Sequence, residues 1–185
     1  QPVGLGLLGN ESQENIRQLL LNFQSTYADY QNIKTLMVDK DLNEIALIKD
    51  LLPVSTVLLC YFHIIKRLKE HISKLPIDIE QKREILNLSR QLIYSEDQDK
   101  FDINTIKLKQ AAAHTTYWTY INQRWMNCID LWALYKLKLL VTLLNNTNNR
   151  IESFYRVVKR EFRRRSKISH LSEALTMLIP SKYHL

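Results

Sequence analysis

TLMVDKDLNEIALIKDLLPVSTVLLCYFH, residues Thr35–His63, sets two β-rich apolar runs around a short amphipathic segment. The runs are Thr35–Val38 and Thr56–Tyr61; the first ends on an acid, Asp39, and the second leads into Cys60-x-x-His63. Two consecutive parallel strands need a crossover between them, which Leu42–Leu51 is long enough to supply. Asp41 is placed to cap that helix, with Glu44 at the reciprocal position three residues on, and Pro53 closes it. The pattern is that of a βαβ unit, and polar groups at the carboxyl ends of such strands stand where α/β folds place their sites.

Upstream, all three glycines (Gly4, Gly6, Gly9) precede Asn10, and the run Pro2–Leu8 reads as a further strand. Asn10, with Gln13 three residues later, is expected to cap an amphipathic helix reaching about Phe23, its apolar face made of Ile16, Leu19, Leu20 and Phe23. Strand, helix, strand, helix, strand argues for a largely parallel sheet.

After His63 the periodicity turns helical. Ile64–Leu75, Ile79–Tyr94 and a long region from Ile103 to Leu144 read as helices, broken by Pro76 and by the polar stretch Ser95–Asp102. Trp118, Trp125 and Trp132 recur at sevens, which would put three indoles near one helical face, and such a stripe reads as the core of a helical subdomain rather than a base-stacking platform. No apolar run approaches the roughly 18 residues that span a membrane, and the start lacks the plan of a signal peptide. The two cysteines, Cys60 and Cys128, fit a reducing compartment, cytosol or nucleus.

Charge is concentrated near the end. Between Arg150 and Lys167 eight basic residues (Arg150, Arg156, Lys159, Arg160, Arg163, Arg164, Arg165, Lys167) stand against two acids, a net of +6 in a chain of net +7. Such a field suits a polyanion, nucleic acid ahead of a membrane surface; the alternatives are a solvated helix face or a localisation signal. The helix carrying it would set Ile151, Phe154, Tyr155, Val158 and Phe162 on its other face.

Asp39 and Glu152 are the acids to pair. Carboxylates brought together from distant sequence repel unless a cation lies between them, and Mg²⁺ prefers carboxylate oxygen while leaving positions open for water and phosphate. The alternatives are that Asp39 begins a loop and that Asn149-x-x-Glu152 is a helix cap. Cys60-x-x-His63 has half the ligands of a zinc site, but Cys128, His71 and His114 have no spacing that completes it. The other reading is a buried thiol beside a hydrogen-bonded histidine.

Val38-Asp39-Lys40-Asp41, Leu52-Pro53, Leu58-Leu59-Cys60-Tyr61-Phe62-His63 and Thr147-Asn148-Asn149-Arg150-Ile151-Glu152-Ser153-Phe154 together resemble the Mutator-like DNA transposases, and most of all their domesticated relatives among zinc finger SWIM-domain proteins. The resemblance implies an α/β RNase H-like core, residues 1–63, interrupted by a helical insertion, 64–146, and resumed at 147–185. It implies an acidic triad binding Mg²⁺ or Mn²⁺ for DNA strand cleavage and transfer, with Asp39 as second member and Glu152 as third. Cys60, His63, Asn148 and Asn149 match motif positions whose physical role does not follow from the residues. The first aspartate of the family lies on a strand upstream of Pro2, so these residues are expected to be an N-terminally incomplete core, a fragment or degenerate copy that cuts little. DNA and further copies of the chain are the expected partners, in the nucleus, with neither a membrane nor a small-molecule substrate. The competing expectation is a non-catalytic module that keeps the fold for DNA or protein contacts.

Overall fold

The computed structural model describes residue 8 and residues 10–137 of the chain. Among these residues the fold is mixed and mostly helical, with one two-stranded parallel sheet. The strand expected over Pro2–Leu8 lies, but for its last residue, outside the described residues, as does the resumed core at 147–185.

The first helix, α1, runs Gln13–Thr26. Its cap is Ser12, whose hydroxyl accepts from the Asn15 N–H at 3.3 Å, and not the expected Asn10. Asn10 is engaged one step earlier: its Oδ1 accepts from the Ser12 N–H at 3.0 Å, folding the side chain over its own backbone and delaying the helix by two residues. The apolar face Ile16, Leu19, Leu20 and Phe23 is only half-buried, and the helix continues three residues past Phe23. A 3-10 turn at Ala28–Asn32 then leads into strand β1, Thr35–Val38.

The βαβ unit forms as expected. Helix α2 spans Leu42–Leu51, and the Asp41 carboxylate caps it by accepting from the Asn43 and Glu44 N–H groups. Ile45 and Ile48 turn inward, and α1 lies against α2, tied to it by Gln24 Nε2 donating to the Leu51 carbonyl at 2.7 Å. Strand β2, Thr56–Leu59, pairs parallel with β1 in the register Thr35↔Thr56 to Val38↔Leu59. Val57, Leu58 and Leu59 are all buried, on both faces, as a run in a covered parallel strand must be.

The strand stops two residues short of the expected Tyr61. The Cys60 N–H still reaches the Val38 carbonyl at 3.0 Å, but Cys60 is also the N-cap of the next helix, α3, Tyr61–Ser73. Tyr61, Ile64, Leu68 and Ile72 lie on its buried stripe, so Tyr61 is recruited by helical rather than strand packing.

Three longer helices follow. Asp78 caps α4, Ile79–Ile93, and Asp97 caps α5, Gln98–Ala111. The break expected over Ser95–Asp102 is therefore confined to its first residues, because Asp97 begins a helix. Tyr117–Arg124 forms α6, whose Tyr117 is fully buried and shares a 2.8 Å hydrogen bond with Ser89 of α4; the Ser89 hydroxyl also donates to the Ile85 carbonyl. That network satisfies the most deeply buried polar groups of the helical region.

The three tryptophans do not share one helix. α6 ends at Arg124, a 3-10 segment occupies Met126–Leu131 with non-helical backbone at Cys128, and a short helix α7 follows at Leu134–Leu137. The Trp132 indole N–H donates to the Trp125 carbonyl at 3.0 Å, an acceptor available only because the helix has ended there. Trp125 and Trp132 are buried and Trp118 only half-buried, so the core role holds for two indoles by a different geometry. The 3-10 segment also comes against β2, and a single hydrophobic core runs from Leu58 and Leu59 through Leu68, Ile85 and Tyr117 to Trp132.

Candidate functional site

Parallel register determines what meets at the sheet's carboxyl edge. Val38 lies opposite Leu59, so Asp39 and Cys60 leave the two strands side by side. Cys60 is wholly buried, pairs its backbone N–H with the Val38 carbonyl and turns the chain into α3. Three residues on, in the first turn of α3, His63 comes back over the edge, and its Nδ1 stands 2.6 Å from Asp39 Oδ1. The spacing Cys-x-x-His thus has a local physical meaning, with the cysteine making the corner and the histidine meeting the acid of the neighbouring strand. The Asp39 side chain is 56% exposed and that of His63 25%, so the pair faces a cleft.

The cleft is lined by Asp39, Lys40, Cys60, His63, Arg67 and Trp125. Lys40 crosses to the helical region: its Nζ donates to the Arg124 carbonyl and sits 4.2 Å from the centre of the Trp125 ring. Burial pushes the Lys40 ammonium below its ordinary range and the Arg124 charge adds to that, while the Cys128 thiol opposes it. Burial raises Cys128 in turn, with Lys40 pulling it back. Among the described residues neither cysteine forms a disulfide.

Lys40, Arg67 and Trp125 were not among the candidate site residues read from the sequence. Two of them carried a signal: Lys40 follows Asp39 directly, and Arg67 stands four residues after His63, one helical turn along the same face. Trp125 had none, since its place depends on how α6 ends.

On the other side of Asp39, acids crowd the start of α2. The Glu44 carboxyl is held above its usual range, first by burial and then by Asp41, Asp39 and Glu11. A carboxyl raised in the folded state makes its ionisation unfavourable to folding; the penalty is absent well below the ordinary value of 4.5 and complete above the folded one. Glu44→Gln is therefore expected to raise the thermal midpoint at neutral pH, the gain shrinking as the buffer is made acid. A gain of equal size in acid would show that the ionisation of Glu44 is not its cause.

Asp39 offers the hard oxygen that Mg²⁺ or Mn²⁺ prefers, and Mg²⁺ often keeps several waters and only one or two protein carboxylates. Among the described residues no group of three or more His, Cys, Asp and Glu could hold a metal ion. Glu152, the proposed second carboxylate, lies outside the described residues. So do Asn148, Asn149 and the basic run Arg150, Arg156, Lys159, Arg160, Arg163, Arg164, Arg165 and Lys167. No helix among the described residues is long and apolar enough to cross a membrane.

No solved structure matches the chain. Residues 1–58, which carry Asp39 and end one residue short of the end of β2, are similar to the RNase H-like domain of zinc finger SWIM domain-containing protein 1/3.

Proposed function

We propose that the chain is a module derived from a Mutator-like DNA transposase, working on DNA in the nucleus. Its site would be Asp39 with Glu152, holding Mg²⁺ or Mn²⁺, and the Arg150–Lys167 run would hold the phosphate backbone. The observation that carries this reading is the position of Asp39: solvent-accessible, at the carboxyl end of a parallel strand, within the stretch similar to an RNase H-like domain. A divalent ion held there supplies charge for the oxygens of a phosphodiester undergoing cleavage. The chain's own residues have separate tasks. Asp39 presents the anionic oxygen, His63 orients that carboxylate through the 2.6 Å contact, and Cys60 sets the corner from which His63 reaches it.

The contact with His63 also supports a second reading, a domesticated module that binds DNA or protein without cutting, because a carboxylate already paired to an imidazole has less need of a cation. A Mn²⁺ titration of the full chain, followed by the signal of free Mn²⁺ in electron paramagnetic resonance, separates the two. Glu152→Gln is expected to weaken binding by at least about 10-fold, in the range found for groups that support a metal site. Wild-type protein that binds no Mn²⁺ would leave the binding module as the function.

A further inference from the structure

We propose that Lys40 and Arg67 form an anion subsite in the cleft beside the Asp39–His63 pair, and that it takes one phosphodiester group of a DNA backbone. The choice of DNA rests on the function proposed above; the subsite itself rests on the geometry of the two cations. Lys40 is held in place at Nζ by the Arg124 carbonyl and at its flank by the Trp125 ring, itself only 3% exposed. Yet among the described residues no carboxylate forms an ion pair with it. A lysine ordered by a carbonyl and a π face, both neutral, has no carboxylate beside it to neutralise its charge.

Arg67 enters from α3. Its Nη1 is 3.4 Å from Glu70 Oε2, with side chains 71% and 45% exposed, a pair of the kind worth little in water and readily exchanged for a phosphate oxygen. The two cations come from different elements and line one cleft, and they offer complementary chemistry: a planar fork that matches two phosphate oxygens and a point charge that meets another. The Asp39 carboxylate, the cleft's one acid among its lining residues, is turned onto His63. The Lys40 stem can still pack on Trp125 when the bond from its ammonium to the Arg124 carbonyl is given up, and Arg67 is exposed on its helix.

The test is the salt dependence of affinity of the full chain for a fluorescein-labelled DNA duplex. Lys40→Met keeps the alkyl stem over Trp125, Arg67→Gln alters an exposed position, and the pair is combined. Loss of one neutralised phosphate lowers the slope of log affinity against log salt by about 0.9, and that flattening is expected in the double variant. Inorganic phosphate should shift the His63 imidazole resonances of wild type and leave those of Arg67→Gln unmoved. An unchanged slope in the double variant, while Arg163→Ala/Arg164→Ala/Arg165→Ala flattens it, would overturn the subsite and leave the DNA reading standing. Absence of DNA binding by the wild type would overturn both. Should Lys40→Met unfold the protein, Arg67→Gln alone decides, through its slope and its phosphate shifts.

Discussion

Replacing Trp125 with alanine is expected to cost about 3–5 kcal/mol of stability, the usual range for truncating a buried aromatic. Trp125 is 3% exposed, belongs to the continuous core, and lines both an apolar void among Ile64, Leu68, Leu92 and Ile121 and the cleft at Asp39. Truncation therefore opens a cavity between α3, α4 and α6 and also removes the surface on which Lys40 rests. The neighbouring indoles give the comparison that decides the point. A helical stripe would make Trp118 and Trp125 nearly equivalent, whereas a half-buried Trp118 should cost clearly less when truncated. Trp125→Phe should cost about 1 kcal/mol, a volume loss without a lost hydrogen bond, because the Trp125 indole N–H has no partner among the described residues. Urea unfolding of the three variants measures this. Equal losses at 118 and 125 would refute the broken-helix packing.

Asp39→Asn is expected to lower Mn²⁺ affinity by at least about 100-fold, at or beyond the upper end of what removing a supporting residue does to a metal site. The amide keeps the shape of the side chain but removes the anionic oxygen that a hard cation needs, so the change isolates charge from packing. Stability should move little, by less than about 1 kcal/mol, because the side chain is 56% exposed and its contact with His63 is a surface pair. The two readouts together discriminate. A large loss of affinity with an intact thermal midpoint supports Asp39 as a ligand. Unchanged affinity would remove Asp39 from any metal site and leave its pairing with His63 as its whole role.

Where local signals agreed, the fold was legible. β1, α2 and β2 were readable because two apolar β-rich runs bracket a segment with its own cap, Asp41, and its own terminator, Pro53. Ends were less legible. Asn10 and Ser12 are both good capping residues, and the chain's path into α1 chose between them. Tyr61 suits a strand by propensity and went to a helix because the buried stripe of α3 needed it. Periodicity misled at the tryptophans: a seven-residue repeat fits a helix face, but it equally fits an indole bonding back to a carbonyl freed by a helix end.

The sequence alone therefore determined the strand–helix–strand unit, the acid at its edge, the cap at Asp41, and the concentration of positive charge in Arg150–Lys167. Each depends on residues within a few positions of one another. Only the tertiary structure decided that Asp39 meets His63, that Lys40 spans to Trp125, and that Arg67 shares their cleft. Those contacts join elements distant in the chain, and they exist because one parallel register aligns two strand ends while α3 and the end of α6 are drawn onto the same core.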